Sequence, residues 1–129
     1  MSHVISHLIL VALGGGLGAS ARYLTNLAAL RFAGPSFPWG TFAVNVIGSF
    51  AMGLLIAILT RRTGTSMEVR SFLATGFLGG FTTFSAFSLD FALMWERGDH
   101  WHGAVYLLAS VLLSILALFG GLFLVRAVA

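Results

Sequence analysis

The sequence predicts an all-α integral membrane protein of four transmembrane helices, and three observations predict it. Of the 129 residues, 58% are hydrophobic and only 9% charged, whereas soluble domains carry about 25% charged residues. Four stretches, approximately 4–24, 40–60, 71–94 and 103–126, are long enough to span a bilayer, which takes about 20 apolar residues. The links between them are too short for a soluble domain, so residues 1–129 read as one compact four-helix membrane domain.

Charge narrows the function classes. Seven arginines, no lysine and four acidic residues give a formal net charge of +3. A basic balance can mark a nucleic-acid binder. These arginines are scattered at helix ends, however, where membrane anchoring accounts for them, and no nucleic-acid partner is expected. The absence of cysteine excludes disulfides, thiol catalysis and thiolate metal sites. No lysine or arginine precedes the first apolar run. A cleaved signal peptide wants a positive n-region, so this run is expected to be a retained helix.

With four spans, the N-terminus, the 61–70 loop and the C-terminus share one side of the membrane. That side holds Arg61, Arg62, Arg70 and Arg126; the other holds Arg31, Arg97 and, if shallow enough to count, Arg22. Four against three is no clear excess under the positive-inside rule. The expectation is dual topology, both orientations being inserted and pairing as an antiparallel homodimer. An Arg22 too deep to count would leave four against two and a single orientation.

The first span carries Gly14, Gly15, Gly16 and Gly18. Their spacing superficially fits a dinucleotide fingerprint, but no strand precedes it and no acidic residue follows about 20 positions on. Small residues four apart, such as Gly14/Gly18 and Gly15/Ala19, instead let helices approach closely. Arg22 ends this ramp, either as a side chain reaching the interface, the reading sequence favours, or as an attractor of anions into a vestibule. Pro38 stands just before the second span, and Trp39, Trp95, Trp101 and Tyr23 lie near span ends as an aromatic belt. In the second span Asn45 is the one strongly polar side chain; it either bridges helices or offers its NH₂ donors to a desolvated anion. Arg61, Arg62, Glu68 and Arg70 mark a solvated turn.

The fourth span spaces Tyr106, Ser110 and Ser114 four apart, on one face. Such hydroxyls are either bonded back to the preceding turn or form a polar track, and a broken neighbouring helix favours the track. The pairs His3/His7 and His100/His102 lie at span ends without the acidic or thiolate company of a good zinc site.

The third span is the most informative. Residues 76–91 place Gly79-Gly80, the hydroxyls of Thr82, Thr83, Ser85 and Ser88, and Asp90 inside a membrane-length apolar run. Polar groups at that depth are costly and mark pathways or ion sites. The glycine pair permits a break in the helix whose freed carbonyls would face a cation. Phe77, Phe81, Phe84, Phe87 and Phe91 form a helical stripe. By default a stripe of this kind packs or faces lipid, but a ring edge is positive and stabilises a small anion when pointed into a pore.

Residues 76–88, Gly-Phe-Leu-Gly-Gly-Phe-Thr-Thr-Phe-Ser-Ala-Phe-Ser, resemble the signature of the CrcB/Fluc fluoride channels. Gly18-Ala19 with Arg22, Trp39-Gly40-Thr41 with Asn45 and Gly48, Glu96-Arg97-Gly98 and the Tyr106/Ser110/Ser114 ladder extend the resemblance to essentially the whole chain. It implies a dual-topology homodimer with a broken third helix and two fluoride pores. It implies that Phe84 and Phe87 turn ring edges to fluoride, with Asn45, Tyr106, Ser110 and Ser114 along the pore and Thr83 and Ser85 as companions. It also implies a structural sodium ion, Na+, held at the dimer centre by the backbone carbonyls of Gly79 and Thr82. Two residues depart from the pattern: Ala86 stands where Thr is usual, and Asp90 where Glu is frequent.

The resulting expectation is a passive channel that exports cytoplasmic fluoride across the inner (plasma) membrane and lowers its toxicity. The alternative is a small four-helix dual-topology exporter of cations such as guanidinium compounds. Such exporters resemble one another in a first-helix carboxylate, and this chain has none before Glu68. A purely structural subunit would have no reason to carry Asn45, Thr82, Thr83, Ser85, Ser110 and Ser114 at membrane depth. No nucleophile, base and orienting group suggest an enzyme.

Overall fold

The computed structural model describes residues 2–62, 64 and 66–128. Among the described residues, four helices are long and apolar enough to cross a membrane: Ser2–Ala33, Trp39–Arg61, Met67–Glu96 and His100–Val128. No strand occurs among the described residues. Helix α1 (Ser2–Ala33) has 32 residues, about 48 Å at 1.5 Å per residue, and outruns the apolar stretch that predicts it. Residues 25–33 are rich in Leu and Ala, good helix formers, so the helix continues until Gly34, at φ 82°, turns the chain. Pro35 then prevents its resumption.

Helix α2 (Trp39–Arg61) starts behind Pro38, whose carbonyl accepts from Phe42 N at 3.1 Å. Helix α3 covers residues 67–81. Ser66 caps it, its hydroxyl accepting from Val69 N at 3.3 Å, and Glu68 lies in its first turn, where a negative charge complements the helix dipole. The coil widens to a π-helix over Ser71–Leu78 and closes with Gly79–Phe81. Thr82 (φ −85°, ψ 156°) and Thr83 (φ −152°, ψ 119°) are extended. Helix α4 (Phe84–Glu96) follows, capped by the Thr83 hydroxyl, which accepts from Ala86 N at 3.1 Å. A tight link with Gly98 at φ 83° leads into α5 (His100–Val128).

The helices pack chiefly as two pairs, α2 on α5 and α1 on α3, with α1 also against α2. Between apolar helices in lipid there is little hydrophobic drive, so close backbone approach must supply dispersion contacts. At Gly53 a Cβ would strike the Leu118 carbonyl; at Gly18 it would strike the Phe77 carbonyl. Phe87, Met94 and Tyr106 form a buried cluster with Phe37, Phe42, Phe91 and Leu107 packed on it. This cluster fastens α4 to α5 and to the link before α2. Leu8, Leu13 and Leu17 of α1 and Leu108, Leu112 and Leu116 of α5 are exposed, as contact with lipid allows.

Gly53→Val is expected to destabilise the helix pair by about 3 kcal/mol, because backbone atoms of α5 cannot yield as a side chain would. Denaturant titration in detergent, monitored by tryptophan fluorescence, measures this; an unchanged midpoint would contradict the close approach.

Candidate functional site

The interruption between α3 and α4 is the point from which the site is built. In a continuous helix the Thr83 N–H would close on the Gly79 carbonyl four residues back. Here it donates to Asn45 Oδ1 at 2.8 Å, and Asn45 Nδ2 donates to the Thr83 carbonyl at 3.0 Å. The amide of α2 thus satisfies both backbone groups of one residue, as a neighbouring strand would. Thr82 N and Oγ1 both donate to the Leu78 carbonyl, at 3.0 and 2.9 Å. Arg22 Nε, reaching from α1, donates to the Gly80 carbonyl at 3.1 Å. Side chains of α1 and α2 therefore meet backbone groups that the helix no longer pairs, as an apolar medium demands.

Beside the interruption lies a groove of about 320 Å³. Asn45 and Ser49 line it from α2, Thr82, Thr83, Phe84 and Phe87 from the interruption and α4, and Ser110, Val111, Ser114 and Ile115 from α5. Phe84 is 76% exposed and Phe87 6%, their ring centroids 5.5 Å apart and tilted by 54°. The Oγ atoms of Ser110 and Ser114 are buried and have no hydrogen-bond partner among the described residues. A buried polar atom without a partner costs about 1–3 kcal/mol, which makes these two hydroxyls candidates for contact with a ligand.

Seven of the residues singled out in the sequence meet in this groove: Asn45, Thr82, Thr83, Phe84, Phe87, Ser110 and Ser114. Four others do not line it. Tyr106 is fully buried behind Phe87, with ring centroids 5.2 Å apart, and its hydroxyl donates to Asp90 Oδ2 at 3.0 Å. Ser85 is exposed, with Oγ 3.4 Å from Thr83 Oγ1. Gly79 is exposed on the chain's surface. Arg22 is half-buried and tied to the Gly80 carbonyl, a partner its sequence position gave no sign of.

A second cleft, of about 340 Å³, is lined by Asn26, Thr41, Ala86, Asp90 and Arg97 among others. Thr41, Asn45 and Ser49 are successive i, i+4 positions on one face of α2, so the two clefts follow that helix in line. Sequence reasoning passed over Ser49 as part of the site, although its spacing from Asn45 was a usable signal. It marked Asp90 as a polar group at membrane depth and a departure from a pattern, without a partner; the pairing with Tyr106 joins residues 16 apart on different helices and leaves no periodic trace.

Four membrane-capable helices, with a groove of hydroxyls, an amide and phenylalanine rings between them, define a multi-pass membrane protein with a polar site in its packing. The family model described as CrcB-like protein, Camphor Resistance (CrcB), matches residues 9–122, and the chain belongs to that family. It is similar to a Mesorhizobium japonicum protein named fluoride-specific ion channel FluC, 62% identical over 120 residues, covering 93% of this chain and 96% of the relative. A protein of the same name from Chelativorans sp. is 61% identical over 122 residues, covering 95% and 98%. Another, from Agrobacterium fabrum, is 53% identical over 120 residues, covering 93% and 96%.

Asn45→Leu is expected to expose the Thr83 peptide, raising deuterium exchange at the Thr83 amide at least tenfold and costing about 2 kcal/mol or more. Asn45→Asp keeps an acceptor for that N–H and is expected to retain most of the protection. Equal exchange in the parent and the leucine variant would show that the clamp does not hold the interruption.

Proposed function

We propose that this protein is a passive, fluoride-selective anion channel of the inner (plasma) membrane that lets cytoplasmic fluoride leave and so lowers its toxicity. The observation that carries the reading is the pair of buried, unpartnered hydroxyls, Ser110 and Ser114, facing the same groove as Asn45, Thr83, Phe84 and Phe87. The names of the relatives support it.

Fluoride is small and strongly hydrated, so a path through apolar surroundings must replace its water with close donors. In this reading the serine hydroxyls and the uncommitted N–H of Asn45 supply donors, and the edges of Phe84 and Phe87 supply partial positive charge without a fixed cation. Thr83 and Ser85 accompany them at the start of α4. Tyr106, held by Asp90, fixes the back of the Phe87 ring, and Arg22 favours anions at the approach. A narrow, donor-lined path fits larger halides poorly. Hydrogen fluoride crosses bilayers as a neutral acid and dissociates inside. A negative interior then favours anion exit by about 2.3 kcal/mol per 100 mV, and no coupled energy source is needed.

The reading includes a homodimer of antiparallel subunits in dual topology, with the extended pair Thr82–Thr83 as the break in the third span. Its support is a polar surface on the single chain: the Thr75 and Ser85 side chains and the Gly79 backbone are exposed. Lipid is a poor neighbour for such groups, and a second copy covers them. The carbonyl of Gly79, released when Thr83 N turns to Asn45, and that of Thr82 fit a hard cation, which prefers oxygen donors. Sodium bound by these carbonyls from both subunits would neutralise oxygens otherwise facing one another in a dry interface.

Purified protein in fluoride-loaded liposomes is expected to release fluoride, followed with a fluoride electrode, only when a potassium ionophore relieves the voltage limit, and to retain chloride. Phe84→Ile and Phe87→Ile are expected to lower that flux at least tenfold while the dimer stays assembled. Fluoride loss without the ionophore, or undiminished flux in both variants, would defeat this mechanism.

A further inference from the structure

We infer that Ser49 is a further ion-contacting group of the groove, a hydroxyl on the α2 wall that donates to the permeating anion as Ser110 and Ser114 do from the α5 wall. The inference rests on the fluoride-channel reading and adds to it a residue on the second helix.

Hydroxyls inside apolar helices usually find a partner by bonding back to the carbonyl four residues earlier. Five hydroxyls of this chain follow that habit, while others, Ser6 on the exposed start of α1 among them, do not. Ser20 donates to Gly16 at 2.7 Å, Thr25 to Ala21 at 2.8 Å, Thr60 to Ile56 at 2.7 Å, Thr82 to Leu78 at 2.9 Å and Ser88 to Phe84 at 2.9 Å. Ser110 and Ser114 break it, and both line the groove. Ser49 breaks it too. Its hydroxyl neither donates to Asn45, four residues back, nor bonds any other described residue, and it lines the same groove. Thr75, also unbonded, lies in the π-helical stretch, where the widened coil displaces the i−4 carbonyl.

Position adds to the pattern. Ser49 is one turn beyond Asn45 on the same face of α2, about 6 Å along the axis. Asn45 has committed its oxygen and one N–H to Thr83, so its remaining N–H and the Ser49 O–H form two donors in succession. Just before Ser49, a Cβ on Gly48 would strike the Thr82 side chain, so α2 runs close to the interruption at this level. An anion passing Thr82 and Thr83 therefore passes Ser49.

The chain's lack of cysteine makes the test clean. In proteoliposomes, Ser49→Ala is expected to reduce fluoride flux at least fivefold with the dimer intact, whereas Ser20→Ala, which removes a hydroxyl committed to its own helix, leaves flux unchanged. Ser49→Cys is expected to be blocked by micromolar silver ion, more slowly at high fluoride, while the parent and Ser20→Cys are insensitive. If the parent conducts fluoride but Ser49→Ala keeps full flux, the inference about Ser49 is overturned and the channel reading stands. A parent that is folded and dimeric but passes no fluoride overturns the channel reading and this inference with it. Should Ser49→Cys fail to fold, Ser49→Ala still decides the matter by flux.

Discussion

One side-chain amide holds the centre of this protein together. Asn45 takes the N–H and the carbonyl of Thr83 at 2.8 and 3.0 Å, and without it an extended dipeptide inside an apolar helix bundle would leave two peptide groups unpaired. Everything around the groove follows from that joint. Thr83 can leave the helical path, its hydroxyl is free to cap α4, and α4 can present Phe84 and Phe87 at an angle that a continuous helix would not give. Arg22 performs the matching service from the other side at Gly80. The interruption is thus a position held by two neighbouring helices and is not local softness in α3.

Those two helices can reach it because their backbones run so close to their partners. Glycine at 18 brings α1 onto the third span, and glycine at 53 brings α2 onto α5. Close approach does two jobs at once. It replaces the hydrophobic drive that lipid cannot supply, and it shortens the distance that Arg22 and Asn45 must span. The aromatic cluster of Phe87, Met94 and Tyr106 then fixes the outer side of α4, with Asp90 absorbing the one polar atom the cluster would otherwise bury.

The sequence made the four helices plain because membrane spans announce themselves by length and composition; the break expected at Gly79-Gly80 does not fall there, since both glycines are helical and the extended residues are Thr82 and Thr83. The groove was legible where residues repeat every four positions, as with Ser110 and Ser114. It was not legible where partners come from different helices. Nothing in the spacing of Arg22 and Gly80, or of Asp90 and Tyr106, marks them as neighbours, since only tertiary packing brings them together. Asn45 illustrates the boundary well. Its polarity made it a candidate at once, but the choice between bridging helices and facing a ligand is made by tertiary packing, in which it bridges with one donor to spare. The ends of α1 were misjudged for a simpler reason: leucine and alanine carry a helix past the point where the apolar run stops.

The π-helical coil over Ser71–Leu78 has a consequence for how this protein can change over time. Each residue in an ordinary helix turns its successor by about 100°, and a stretch of wider coil absorbs residues without adding a proportionate rotation. The compass bearing of everything after residue 78 is therefore set by how much of that stretch is wide. A chain that kept every residue there but relaxed into regular coil would keep all its glycines, threonines and phenylalanines in order, yet turn them towards a different neighbour. Substitutions that drive this octet into regular coil should therefore be far rarer among functional descendants than its bland, apolar composition would suggest.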